Sequence, residues 1–361
     1  MLLSVAGLAQ SSKDDAIVIK DKVIKMPKYP LADFLKKSTP LSEIQIVQFV
    51  KDSVWLGYVL KGMDDQVARL VSSKPLTQFL QEHIEKMYGN DYKKEGRKML
   101  WVLRNLRVAE KSTTFSQYAY LNLKIDSYLE KNEGNYQRVA AIDSVFIYES
   151  MGDVTAWHGT NIENVFKLLL KQSFQVIDKN MYADSEVVTL AQISSLSGKN
   201  IEKPILTTDK YNEGAYASFA EFAENKPGII NYEPIVLQRK KAKYIVGFKN
   251  ERNDTISVWG LCKNGELYRY YESQLIPIEK QGGGFIISDY VAKTNRRNSN
   301  AFAAALMGGL AGGLVGGTAA GLYSSGRAGG AVPVTFIPYI SNRKKQPDAS
   351  VLDMDTGEFS F

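Results

Sequence analysis

The chain has 361 residues, 44% of them hydrophobic and 23% charged, an ordinary globular composition with room for two domains. A single cysteine, Cys262, excludes an intramolecular disulfide and a cysteine metal cluster, and the only histidines, His83 and His158, leave little for a histidine-rich metal site or a Ser-His-Asp arrangement. The net charge of +6 permits anionic partners such as lipid headgroups, but the basic residues are widely spread and no nucleic-acid partner is expected.

At the N-terminus Leu2, Leu3, Val5 and Leu8 form a short apolar run, and Gly7 and Ala9 stand where a signal peptidase requires small side chains. Residues 1–9 therefore read as a signal-peptide remnant, with cleavage expected after Ala9.

Residues 15–190 read as an α+β domain. Ile17, Ile19, Val23 and Ile24 alternate with lysines and aspartates as an opening strand, and an extended pair is expected around Ile44–Val50 and Trp55–Leu60. Ser73 and Pro75 announce a helix whose apolar face carries Leu76, Phe79, Leu80, His83, Ile84 and Met87, ended by Gly89 and Asn90. His83 is thereby expected at the edge of a core. Three strands follow over Met99–Val108, Ala119–Ile125 and Gln137–Tyr148, the last two joined by the turn Asn132-Glu133-Gly134-Asn135. A second helix is expected from Thr160, with Glu163 closing a capping box and Ile162, Val165, Phe166, Leu169 and Leu170 as its buried stripe. His158, just before that start, is expected to cap the helix or sit exposed. The order predicts an antiparallel sheet with both helices on one face.

The polar run Ser194–Lys203 reads as a linker to a smaller β-rich domain over 200–295. Gly214–Phe222 predicts a turn and a short helix, and strands are expected at Tyr244–Phe248, Ile256–Cys262, Glu266–Tyr271 and Phe285–Tyr290. Asn264-Gly265 between two alternating runs is a strong hairpin signal. Asp353, Asp355 and Gly357 lack the further oxygen ligands of a calcium loop and read as a turn. No catalytic, cofactor or metal constellation emerges, so no enzymatic activity is expected.

Two resemblances bear on this reading. The Gly-x-Tyr-x-Ser-Phe-x-Glu-Phe element at 214–222 with Asn225 and Pro227, Trp259–Gly265, and Pro277–Lys280 together resemble exported Bacteroidetes proteins of unknown function. In these a glycine-rich apolar stretch and a final strand like Val351–Gly357 follow. The run Leu100–Leu103, a hairpin of amphipathic strands and an Asn-bearing helix resemble auxiliary lipoproteins of envelope transport systems. Both imply an exported protein of the cell envelope and no assigned activity.

Ala301–Leu322 carries no charge and two rows of glycines at intervals of four. Gly308, Gly312 and Gly316 form one row, and Gly309, Gly313, Gly317 and Gly321 the other. As a helix this segment is long enough for a hydrocarbon core of about 30 Å and offers a bare stripe for close packing. The glycines weaken a lone helix by about 1 kcal/mol each, so neighbours are needed. Self-association through this helix is therefore the expected partner contact, and filling the stripe with Leu at Gly312 and Gly313 is expected to abolish it. Residues 332–361 read as a tail. Arg239, Lys240, Lys241 and Lys243 form the densest basic run and the candidate contact with an anionic surface, and Arg343–Lys345 form a second.

The expected function is that of a non-enzymatic, exported envelope protein, membrane-associating and serving assembly or transport. A soluble periplasmic module binding a glycan or lipid headgroup through Tyr268, Tyr270 and Tyr271 is the alternative.

Overall fold

The computed structural model describes residues 19–28, 39–48, 54–182, 185–197, 203–240, 243–281, 283–288, 290–295, 297–298 and 332–361. The N-terminal run, Lys241 and the glycine rows at 308–321 lie outside the described residues.

The chain is α+β, as its patterning implies. Its larger sheet comprises β1 (Asp21–Val23), β2 (Leu41–Gln48), β3 (Trp55–Lys61), β4 (Gln66–Val71), β5 (Arg97–Ser112), β6 (Gln117–Asn132), β7 (Asn135–Ser150) and β8 (Val187–Thr189). The order is β1-β4-β3-β5-β6-β7-β8, with β2 sharing the edge of β5 that β3 occupies. The antiparallel meander β5–β6–β7, each strand 16 residues long, is its spine. Strict alternation explains its stability. On β6, Leu121, Leu123 and Ile125 point into one core while Tyr118 and Tyr120 point into another.

The sheet is mixed rather than purely antiparallel, because β1 runs parallel to β4, and β2 and β3 run parallel to β5. Strands β2 and β3 are not each other's partners; β3 forms its hairpin with β4 across Gly62–Asp65.

Helices α1 (Leu76–Tyr88) and α2 (His158–Asp178) cover one face of this sheet. Leu80, Ile84, Phe166, Leu169 and Leu170 pack there against Trp101, Leu123 and Ile125. α2 begins at His158, and its N-cap residue Trp157 makes no side-chain cap. Glu163 closes no capping box. Its side chain turns inward to Lys167 at 2.5 Å and His83 at 3.5 Å, two partners that the helix interior supplies and its terminus does not.

Among the described residues, the serine-rich run after α2 begins within a helix. α3 (Leu190–Ser197) docks through Ile193, which is fully buried beside Leu100, Val102 and Tyr136, so Ser194, Ser195 and Ser197 lie on a helix rather than in a linker.

The second sheet is antiparallel: β9 (Gly214–Tyr216), β13 (Gly260–Lys263), β14 (Glu266–Tyr271), β15 (Gln274–Gln281), β16 (Gly284–Ile287), β17 (Val351–Leu352) and β18 (Phe359–Ser360). Gly214 is thus in an edge strand rather than a turn. Asn264 and Gly265 both take positive φ, as a two-residue hairpin between β13 and β14 requires. A third, small sheet holds β10 (Glu233–Lys240), β11 (Lys243–Lys249) and β12 (Thr255–Ile256). Two short helices, α4 (Pro204–Thr207) and α5 (Phe219–Ala223), complete this half, the latter capped by the Ser218 hydroxyl accepting from Glu221 N–H.

The two larger sheets share a core. Tyr58 and Val67 of β3 and β4 pack with Tyr216, Phe222, Phe285 and Leu352, on the face that α1 and α2 leave open. Residues 332–361 are structural parts of this assembly as well. They supply β17 and β18, and Phe361 is buried against Tyr120.

Candidate functional site

Three loops meet at one end of the larger sheet. Ser112 pairs with Gln117 and Gln117 with Ser150, which sets the β5–β6 turn beside the segment after β7. β3 runs parallel to β5, so the β3–β4 turn reaches the same end, where Gln117 Nε2 donates to Asp65 Oδ1 at 3.4 Å.

Each loop carries one large apolar side chain into solvent: Met63 is 87% exposed, Phe115 82% and Met151 91%. These exceed every other large hydrophobic residue among the described residues, and the sheet register brings the turns that carry them to one end. Trp157, also exposed, stacks on Tyr148 at 4.9 Å just behind them. Isolated exposed apolar residues are commonplace, but three neighbouring tips are the pattern of a contact surface.

A buried carboxylate fixes the three loops to one another. Glu110, at the end of β5, accepts from Leu60 N–H at 2.7 Å, the last turn of β3 before its loop. It also accepts from the Thr155 hydroxyl at 3.2 Å, just after the third loop. Its other oxygen lies 2.9 Å from His158 Nε2 at the start of α2. A carboxylate only accepts, so His158 carries its proton on Nε2. Both side chains are sealed from solvent, which makes the pair a structural pin rather than an acid–base couple facing a substrate. His158 is therefore neither exposed nor a cap. Its partner lies 48 residues earlier in the chain, and local spacing contains no trace of it.

The same end is where the described chain leads into the glycine-rich sequence. Asn295 Oδ1 accepts from Val67 N–H and Asn298 Nδ2 donates to the Asp65 carbonyl, each at 2.6 Å. Between them Arg297 pairs with buried Asp348, which Lys111 of β5 also engages. Asn295 and Asn298 are thus fastened to the β3–β4 hairpin, whose turn carries Met63.

The charges of this end are mixed. Asp64, Asp65, Glu149 and Asp153 lie in or beside the three turns together with exposed Lys61. Arg297 and Lys111 pair with Asp348, and Lys345 pairs with Glu149 at 3.7 Å. In the second basic run Arg343 pairs with Glu272 at 2.9 Å, so two of its three charges are engaged within the protein.

Of the other residues singled out from the sequence, Arg239, Lys240 and Lys243 fall where β10 meets β11, Lys240 opposite Lys243. Tyr268, Tyr270 and Tyr271 are not a free aromatic surface. Tyr268 donates its hydroxyl to Glu266, Tyr270 packs edge-on to Phe248 at 5.1 Å, and Tyr271 does the same to Phe359 at 5.3 Å. Their side chains lie half-buried because the third sheet and β18 pack over them. His83 meets its expectation of a buried position, although its partner Glu163 comes from α2. Asp353 Oδ1 accepts from the amides of Asp355 and Thr356, the turn its sequence implies.

Among the described residues no group of His, Cys, Asp and Glu has the arrangement of a metal site, and no helix is long and apolar enough to cross a membrane. No protein-family model, curated protein or solved structure matches the chain.

Proposed function

We propose that the protein is an exported, membrane-associating accessory of a bacterial cell envelope, and that it meets the bilayer with the loop end carrying Met63, Phe115 and Met151. One observation carries this reading. The three most exposed large apolar side chains stand together, beside the point where the chain passes into an uncharged stretch from Ala301 to Leu322. Burying a methionine or phenylalanine side chain in an apolar medium is worth about 1.5–3 kcal/mol, so three tips supply a useful affinity even without the glycine-rich segment. The charges around the tips are mixed and favour neither sign of headgroup, so this contact is apolar in origin.

Flotation with liposomes tests the reading. Wild-type protein should float with neutral phosphatidylcholine vesicles, and added anionic lipid should change little. The double substitution Phe115→Asp and Met151→Asp should reduce binding at least tenfold while leaving the unfolding midpoint unchanged. A variant lacking 301–322 should retain the weaker binding that the loop substitutions abolish. Binding that requires anionic lipid and ignores the loop substitutions would move the contact to the basic run at 239–243 and overturn this assignment. The alternative of a soluble glycan-binding module has less support, because its tyrosines are committed to packing.

A further inference from the structure

Asn264-Gly265 is the one Asn-Gly step in the chain, and the fold needs it where it stands. Both residues take positive φ, 55° and 78°, in the two-residue turn that sets Lys263 opposite Glu266. The pair that makes the turn also makes it chemically fragile, because asparagine is among the thermolabile residues. The next backbone nitrogen, on losing its proton, attacks the asparagine side-chain carbonyl carbon. The side-chain NH2 leaves with that proton as ammonia, and water reopens the cyclic imide as aspartate or as isoaspartate, whose backbone is longer by one methylene. A glycine in second place removes the side chain that would crowd ring closure. A Cβ built on Gly265 would meet nothing within 4 Å, and both turn residues are exposed, so neither bulk nor lack of water protects the step.

Glu213 stands against that chemistry. The Gly265 amide donates to Glu213 Oε1 at 2.8 Å and the Asn264 amide to Glu213 Oε2 at 3.1 Å, so one carboxylate spans both turn amides. We propose that Asn264 is a latent deamidation site and that Glu213 guards it. A carboxylate is far too weak a base to take a proton from a backbone amide, and accepts a hydrogen bond from it instead. Removing the proton would replace a charge-assisted hydrogen bond by two anions 2.8 Å apart, so the attacking nitrogen forms against both effects. The guard arrives with an edge strand. Glu213 immediately precedes β9, whose Gly214 pairs with Cys262 of β13, so protection requires β9 to be docked. Conversion of Asn264 in turn sets a new carboxylate beside Glu213, with Glu266 already next to the turn, and repels the chain entering β9. The site is a one-way latch: an undocked β9 lets the turn age, and an aged turn loosens β9.

Prolonged incubation of the full-length protein in mildly alkaline buffer, with peptide mapping by mass for conversion at Asn264, tests the guard. In the folded wild type Asn264 should convert at least tenfold more slowly than in the same protein held unfolded in urea. Glu213→Ala should lose most of that protection, and Glu213→Gln, which keeps an acceptor without the charge, should fall between. Amide exchange across β13 and β14, followed in the same samples, reports whether the hairpin stays closed. With a closed hairpin Glu213→Ala decides: faster conversion than wild type supports the guard, an equal rate overturns it, and a slower one overturns it by making Glu213 the base that promotes the reaction. If Glu213→Ala opens the hairpin, Glu213→Gln decides on the same terms. A folded wild type that converts as quickly as the unfolded chain would also overturn the proposal.

Discussion

At the scale of single residues, the buried glutamates hold the most consequence. Glu110 satisfies a backbone amide, a hydroxyl and an imidazole at once, so Glu110→Ala leaves the Leu60 amide and His158 Nε2 without this acceptor, while the Thr155 hydroxyl keeps the Leu60 carbonyl. The expected loss is about 3–5 kcal/mol in denaturant unfolding, against about 1 kcal/mol for Glu110→Gln, whose amide oxygen still accepts and to which His158 adapts by changing tautomer. His83 adds a pH dependence. Burial holds its pKa below the ordinary value of 6.5, against the pull of Glu163 and with the help of Lys86 and Lys167. The unfolded chain therefore takes up the proton first on acidification. The stability from a neutral His83 is complete above 6.5 and declines as the pH falls toward the folded value. Unfolding measured at pH 7.5 and 5.5 should show this decline in the wild type and a smaller one in His83→Gln. Equal slopes would remove His83 from the account.

At the scale of elements, α2 is held by a close approach that reverses an ordinary rule. Gly159 in its first turn has the Lys25 carbonyl where a side chain would be, and a Cβ there would lie 2.0 Å from that oxygen. Replacing a helical glycine by alanine usually gains about 1 kcal/mol. Here Gly159→Ala should instead lower the thermal midpoint, because the strand leading to Ile24 must move off the core. The elements also show how far the sequence could be read. The meander β5–β6–β7 and the Asn264-Gly265 hairpin were legible because alternation and turn chemistry are local. β4 was not, since its six residues follow straight on from the Gly62–Asp65 turn and carry Gln66 and Arg69 among their apolar positions. The parallel pairings of β1 and β2 were equally hidden, because each depends on a partner distant in the chain. The contact surface left a faint local mark: Met63, Phe115 and Met151 each stand alone in a polar turn, flanked by Gly, Asp, Ser or Thr. What made them a surface was the sheet register, which brings the three turns to one end.

At the scale of the whole molecule, Asp348 joins the layers. Burial alone would raise its pKa, but Lys111 and Arg297 on either side hold it below the ordinary carboxylate value. Its contribution is complete above pH 4 and disappears as the carboxylate protonates at lower pH. Asp348→Ala should thus cost about 3–5 kcal/mol near neutrality and progressively less in acid, and loosen the segment that carries Asn295 and Asn298. Hydrogen exchange at the Val67 amide would register that loosening, and unchanged protection there would contradict it.

The layer behind the larger sheet is completed by residues that come much later in the chain. Ala109, Tyr118 and Tyr120 are strand residues from its first half, yet the side chains that cover them are Ile337 and Phe361. During synthesis the helix-covered face can close as soon as α2 emerges, whereas this patch stays wet until Ile337 and Phe361 have emerged as well. Over that interval the nascent chain shows an aromatic strand surface next to the edge of β7, which β8 covers only over Asn135–Gln137, the combination most prone to intermolecular association. The order in which the chain is made therefore leaves the longest-exposed apolar surface on the half of the fold that forms first, and a holding chaperone would find its binding site there.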